Sequence, residues 1–168
     1  MVEMAVAKKI MLLGAMAVGK TAIATRLKFD RFDHEYKSTI GVELHTLELD
    51  VDGEHRPLIV WDTDGDFGQT IFESVYVKGA AGALIVSDVT RGETVEHMLE
   101  LSRNFEDHLP GRPCLNLLNK CDLEQPQPER IEMLRNSAGD VLQCSAKTGD
   151  GVIDAMVRLY KTIVAREL

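Results

Sequence analysis

The stretch that decides the fold lies near the start of the chain and reads Gly14-Ala15-Met16-Ala17-Val18-Gly19-Lys20-Thr21. It fits the pattern GxxxxGK[ST], in which backbone N–H groups and a helix N-terminus face phosphate. The apolar run 8–14 predicts a buried strand before it, and residues 20–28 predict a helix after it. We expect Lys20 to hold the β- and γ-phosphates of a nucleotide and the Thr21 hydroxyl to ligate Mg²⁺. Taken alone, the loop leaves open a glycine-rich turn with a chance lysine.

Strands and helices alternate along the rest of the chain. Residues 41–51 predict a half-exposed strand, in which Val42, Leu44 and Thr46 alternate with Glu43, His45 and Leu47. Asp52-Gly53 predicts a hairpin turn into a strand at 58–61. Further strands are predicted at 83–86, 114–118 and 141–144, and helices over 93–108, from Pro128, over 151–166, and from the end of the acidic stretch 62–70 to Lys78. This order predicts an α/β fold with a mostly parallel six-stranded sheet, one antiparallel edge strand and helices on both faces. Together with the phosphate-binding motif, it is typical of a P-loop NTPase fold.

Composition limits the class of protein. The 168 residues predict one domain over 1–168, and 19 basic against 27 acidic residues leave a net charge of −8, which argues against nucleic-acid binding. No apolar run approaches the length of a membrane span, and no secretory signal is visible, so we expect a cytoplasmic protein. The histidines show no metal-ligand spacing and are expected on the surface or in loops: His34, His45, His55, His97 and His108.

Two polar segments follow directly after predicted strands. They are Asn119-Lys120-Cys121-Asp122 and Ser145-Ala146-Lys147. Because strand C-termini of an open α/β sheet meet at one crevice, both segments are expected beside the phosphate loop, residues 14–21. The Asp122 carboxylate can accept hydrogen bonds from N1–H and the exocyclic amine of guanine, a pair that adenine lacks. Either segment alone could be a polar turn or a helix cap. Together with the loop they favour a guanine nucleotide over the alternative of an ATP-using kinase or ATPase.

With these motifs the chain resembles the Ras superfamily of small GTPases, most closely its Rab-like branch, from about Lys8 to Val164. Residues 31–43 (RFDHEYKSTIGVE) resemble the first switch, and residues 61–65 (WDTDG) resemble the WDTAG motif that begins the second. The resemblance implies that Phe32 packs against guanine and Tyr36 closes over the phosphates. It implies that Thr39 ligates Mg²⁺ and meets the γ-phosphate, which the Gly65 N–H also senses. Asp62 would anchor Mg²⁺ through water.

The resemblance also assigns the base contacts and the reaction. Lys120 would lie along the base, Asn119 would brace the pocket, and the Ala146 N–H would donate to guanine O6. The implied catalytic residues are Lys20, Thr39, Gly65 and Asp66. The implied nucleotide contacts are Gly14, Ala15, Met16, Ala17, Val18, Gly19, Lys20, Thr21, Ala22, Phe32, Tyr36, Thr39, Gly65, Asn119, Lys120, Asp122, Ser145, Ala146 and Lys147. Residues 79–82 and 87–90 resemble connecting segments, to which we assign no chemistry.

Three departures from the family fall around the γ-phosphate. Asp66 stands where the family places the glutamine that orients the attacking water, Asp64 replaces an alanine, and Met16 occupies a position that relatives fill with a small residue. Gln69 is an alternative group for positioning water. These departures predict slow hydrolysis or, as a second hypothesis, a GTP-loaded interaction module without turnover.

Partners are the remaining expectation from the resemblance. It implies exchange factors, GTPase-activating proteins and effectors that bind residues 35–43 and 62–78. The C-terminal residues 164–168 (VAREL) contain no cysteine and no polybasic run, so we expect no direct lipid anchor.

Overall fold

The computed structural model describes residues 6–34 and 39–167. Within these ranges the strands are β1 (Lys8–Gly14), β2 (Val42–Val51), β3 (Glu54–Thr63), β4 (Gly82–Asp88), β5 (Cys114–Asn119) and β6 (Val141–Gln143). The α-helices are α1 (Lys20–Phe29), α2 (Gly92–His108), α3 (Pro128–Ala138) and α4 (Val152–Glu167). The sheet order is β2-β3-β1-β4-β5-β6, with β2 antiparallel to β3 and every other neighbouring pair parallel. The predicted fold class is confirmed.

The central strand β1 is apolar on both faces, as a strand covered by helices on each side must be. Ile10 and Leu12 pack into a core with α1 and α4, while Met11 and Leu13 pack into a second core with α2 and α3. Successive side chains alternate between the two cores because side chains of a strand point to opposite faces in turn. The sheet is therefore held rigidly between helices, and its carboxyl edge becomes a fixed platform.

The β2–β3 hairpin has the predicted turn, and the structure shows which face of β2 is buried. Asp52 and Gly53 both have positive φ, 52° and 84°, which the predicted two-residue turn requires. The buried face of β2, however, is the one that carries Leu47, Leu49 and Val51, whereas Leu44 is 54% exposed. The alternation over 42–47 did not decide between the faces, because the apolar positions that pack against the first core lie farther along the strand.

The helix predicted up to Lys78 is wrong. Short 3₁₀ helices cover Gly65–Glu73 and Val75–Val77 instead. Gly68 has φ 48° and ψ −134°, outside the helical region, so the first of them is kinked. Ile71 and Phe72 still bury their side chains in the second core, which keeps this segment against the domain. No helix in the described ranges is long and apolar enough to cross a membrane.

Candidate functional site

A cavity of about 670 Å³ lies at the carboxyl edge of the sheet. Most of the residues predicted to contact a nucleotide line it: Met16, Ala17, Gly19, Lys20, Thr21, Ala22, Phe32, Thr39, Gly65, Asn119, Lys120, Asp122, Ala146 and Lys147. They come from the phosphate loop, the two switch segments and the turns after β5 and β6. The topology thus brings together segments that are more than 100 residues apart in the chain.

Among the described residues, the others predicted to contact the nucleotide or the metal are not part of the cavity lining. Gly14, Ala15, Val18, Asp62, Asp66 and Ser145 do not line the cavity. The Val18 carbonyl accepts a hydrogen bond from Asn119, and the Ser145 hydroxyl donates to Asp122 at 2.7 Å, so both act through lining residues. Tyr36 lies outside the described residues.

Lys20 is held by the phosphate loop itself. Its Nζ donates to the carbonyls of Gly14 (2.8 Å) and Ala15 (2.7 Å). Burial lowers the pKa of Lys20 to about 8, although the carboxylates of Asp62 and Asp64 act in the opposite direction. The loop therefore presents a largely desolvated ammonium, whose interaction with an anion is stronger than in water.

Gly19 shows why this loop accepts only glycine at its end. Its φ is 105°, and an added Cβ would lie 2.3 Å from the side-chain nitrogen of Asn119. The end of β5 is thus packed directly against the phosphate loop. The part of the cavity predicted to hold the phosphates therefore adjoins the part predicted to hold the base.

Three oxygen-bearing side chains predicted as metal ligands converge beside Lys20. The Thr21 hydroxyl donates to Asp62 Oδ2 at 2.5 Å and lies 2.8 Å from the Thr39 hydroxyl, which is itself 3.4 Å from Asp62 Oδ2. Burial raises the pKa of Asp62, and the Thr21 hydrogen bond and the Lys20 charge oppose that rise. Hydroxyl and carboxylate oxygens are the donors that Mg²⁺ prefers, so the residues present fit this ion.

The second switch segment, residues 62–78, lies directly against the phosphate loop. A Cβ added to Gly65 would fall 2.4 Å from the Met16 nitrogen and 2.7 Å from the Ala15 carbonyl carbon. Asp64 ties this segment to the first switch, because its N–H donates to the Gly41 carbonyl at 2.8 Å. Met16 also lines the cavity. The approach involves the backbone of residue 16, so the effect of the Met16 side chain on catalysis stays a prediction.

Neither candidate for positioning water reaches the cavity wall. Asp66 is exposed, and its N–H donates to Asp64 Oδ1 at 2.9 Å. Gln69 turns its side-chain oxygen toward the amide of Asn104 on α2. The side chain after Gly65 is thus a short carboxylate that is not part of the cavity lining.

The turns after β5 and β6 are joined through one amide. Asn119 Nδ2 donates to the Val18 carbonyl (2.9 Å), and Asn119 Oδ1 accepts from the Ala146 N–H (3.0 Å). Lys120 Nζ donates to the Ala17 carbonyl at 3.0 Å. The Ala146 N–H that the resemblance assigns to guanine O6 is bonded to Asn119 here, so that assignment stays a prediction. The predicted bracing role of Asn119 agrees with these contacts.

Arg26 on α1 is a site residue that sequence reasoning missed. It is only 9% exposed, and its guanidinium donates to the carbonyls of Ala146 (3.1 Å) and Lys147 (2.7 Å). Gly149 lies against the same guanidinium. No local pattern marks this arginine, because its partners are about 120 positions away and are backbone groups.

Asp88, in a segment to which we assigned no chemistry, supports Lys120. It is 3% exposed, and its Oδ2 lies 2.9 Å from Lys120 Nζ. Burial acts to raise the pKa of Asp88, but hydrogen bonds from Thr90 and Lys120 outweigh it, and the pKa is lowered. Arg91 follows, donating to the Met16 carbonyl at 2.7 Å. The turn after β4 therefore positions both ends of the cavity. A signal was available in the position of Asp88 at the end of a buried strand.

Comparison with known proteins agrees with this geometry. The Ras family model matches residues 9–165. The chain is 38% identical over 125 residues to the Ras-related protein RABA5b of Arabidopsis thaliana, an alignment covering 74% of this chain and 58% of that protein. It is 31% identical over 163 residues to the Ras-related protein Rab-8B of Homo sapiens, covering 94% of this chain and 79% of the relative. Rab-8B of Pongo abelii matches to the same extent. The chain therefore belongs to the Ras family, on its Rab-like side, a family of guanine-nucleotide-binding switches that hydrolyse GTP.

Proposed function

We propose that residues 1–168 form a single guanine-nucleotide switch domain that cycles between GTP and GDP and hydrolyses GTP slowly. The observation that carries the proposal is the convergence of the phosphate loop, the Thr21–Thr39–Asp62 oxygens and the Asn119–Asp122 turn on one cavity. In this proposal Asp122 accepts from guanine while Ser145 fixes its carboxylate.

Mg²⁺ is part of the proposal, held by residues of the cavity and its wall. Thr21 and Thr39 would ligate the ion through their hydroxyls, and Asp62 would act through water. The ion would neutralise charge that develops on the phosphates during hydrolysis. These ligands would link the two switch segments, because Thr39 belongs to the first segment and Asp62 to the second.

Slow hydrolysis follows from the residues around the γ-phosphate. The Asp66 carboxylate is exposed and lies off the cavity wall, so it does not supply the hydrogen-bond donor that the family's glutamine offers to the attacking water. Met16 lines the cavity, and its side chain, larger than the residue that relatives place there, would take up room that a partner's arginine needs. We expect a rate at or below the unassisted rate of the family, about 10⁻⁴ s⁻¹.

A single-turnover assay with radiolabelled Mg·GTP tests this. Asp66→Gln restores a donor and is expected to speed hydrolysis, whereas Asp107→Gln, an exposed carboxylate on α2, should leave the rate unchanged. Equal rates for wild type and Asp66→Gln would show that water positioning by residue 66 is not the cause. GTP that stays bound for many hours without turnover would favour a GTP-loaded interaction module instead.

We also propose that partner proteins bind residues 35–43 and 62–78. Exposed apolar side chains lie in or beside these segments: Ile40 is 90% exposed, Val75 67%, and Leu44, on the adjoining strand, 54%. These side chains offer apolar surface that a partner could cover. Exchange factors, activating proteins and effectors are the classes expected, and a cytoplasmic location also stays a prediction. Hydrogen exchange of the GDP and GTP-analogue states should differ in these two segments and little elsewhere.

A further inference from the structure

Three potential metal ligands lie at the open end of the β2–β3 hairpin, where β2 begins and β3 ends. The strand register places Glu43 directly opposite Asp62, and His45, two residues along β2, lies on the same face. A carboxylate oxygen of each acid and a ring nitrogen of His45 all lie within 4.8 Å of one another. His45 was expected on the surface or in a loop, but its side chain is only 12% exposed. Spacing in the sequence could not reveal this cluster, because Asp62 comes from the neighbouring strand.

Two atoms of this cluster are buried without a partner. Among the described residues, His45 Nε2 and Asp62 Oδ1 neither donate nor accept a hydrogen bond. Asp62 is fully buried, and it uses only Oδ2 for the contacts with Thr21 and Thr39. A buried polar atom without a partner is costly, and native structures contain few of them.

The charges at the cluster also call for a cation. Glu43 and Asp62 are carboxylates directly opposite each other on neighbouring strands, an arrangement that destabilises a sheet. A divalent cation between the three ligands would remove this repulsion and provide a partner for both orphaned atoms.

We propose that Glu43, His45 and Asp62 bind a divalent cation of the zinc class at a second site, which adjoins the Mg²⁺ site and shares Asp62 with it. Zinc takes one imidazole nitrogen and carboxylate oxygens readily, whereas Mg²⁺ prefers oxygen ligands alone. Tetrahedral bonds of about 2.1 Å require ligand atoms about 3.4 Å apart, so the side chains must close slightly. The Glu43 side chain is 58% exposed and can make that movement. The fourth ligand is water from the open side.

Cobalt(II) titration of the full chain tests the proposal independently of GTP turnover. Millimolar Mg²⁺ keeps the oxygen-only sites filled, and visible absorption reports cobalt bound to nitrogen and oxygen ligands. The wild type is expected to bind one equivalent that zinc displaces. His45→Ala should weaken binding by at least about tenfold. His55→Ala, an exposed histidine on the same hairpin, should not change it.

Glu43→Gln is the second variant, since an exposed side chain can be changed without loss of folding. It should also weaken cobalt binding while leaving nucleotide retention intact, so failure of the metal site and failure of the proposed function are distinguishable. Equal cobalt affinity in wild type, His45→Ala and Glu43→Gln, or no saturable binding at all, would overturn the proposal.

Discussion

Replacement of Arg26 by methionine would release the loop that follows β6. Methionine keeps most of the buried length of the side chain but removes every donor. The carbonyls of Ala146 and Lys147 then lose the two hydrogen bonds that hold them against α1. We expect the variant to fold and to release GDP faster than the wild type.

The size of the effect follows from those two contacts. A hydrogen bond from a charged donor contributes about 1.5–3 kcal/mol. We take the lower end for each, because water can reach the released loop, and obtain about 3 kcal/mol. The ion pair with Asp30 adds little, since that side chain is 79% exposed. Part of the loss falls on stability and part on binding, so GDP dissociation should accelerate by about tenfold to a hundredfold.

The assay is displacement of fluorescent GDP by excess GDP, with thermal unfolding followed in parallel. Lys28→Met is the matched control: it removes one positive charge from the same helix turn, and Lys28 is exposed. If Arg26→Met and Lys28→Met release GDP at the wild-type rate, the guanidinium does not hold the nucleotide loop and the reasoning fails.

Three further predictions each concern one buried or closely packed residue. Because burial lowers the pKa of Lys20 to about 8 from 10.5, the unfolded chain binds more protons between these values. The unfolding free energy of the nucleotide-stripped wild type, relative to Lys20→Met, should therefore rise between pH 8 and 10 by up to about 1.4 kcal/mol per pH unit, and urea titrations that show a fall would contradict the sign. Gly65→Ala places a Cβ 2.4 Å from a backbone nitrogen of the phosphate loop, so single-turnover hydrolysis should drop about a hundredfold, whereas Gly92→Ala, which meets open space, should have no effect. Met98→Ala, at a fully buried position, should lower the free energy of unfolding by about 2–5 kcal/mol, against less than about 0.5 kcal/mol for Met133→Ala, which is 69% exposed; similar urea midpoints would refute the burial argument.

The sequence predicted what local patterns and strand order determine. Apolar runs and, for β2, an alternating pattern located the strands. Glycine with lysine and threonine at fixed spacing located the loop before helix α1. Strand order then placed Asn119 and Ala146 at the same edge as Lys20, because parallel strands end together. These inferences needed only the period of the hydrophobic pattern and the direction in which each strand runs.

The errors arose where a tertiary contact overrides a local signal. Residues 71–77 are apolar enough for a helix, yet the kink at Gly68 and packing of Ile71 on the second core leave only 3₁₀ turns. Arg26 and Asp88 escaped notice because their partners are a loop backbone and a lysine from distant segments. Such contacts depend on which loops cross which helix, and that order emerges only once the sheet is assembled.

The side chain of Asn119 has a consequence for how the ligand is recognised as a whole. One amide group spans the phosphate loop through Val18 and the base loop through Ala146. When one of these loops becomes ordered around its part of the nucleotide, Asn119 also orders the other loop. The entropy cost of ordering is therefore shared between the two halves of the ligand. Guanosine without phosphates, or pyrophosphate without a base, should each bind far more weakly than their share of the contacts suggests. The intact nucleotide is therefore expected to bind more tightly than both fragments added together.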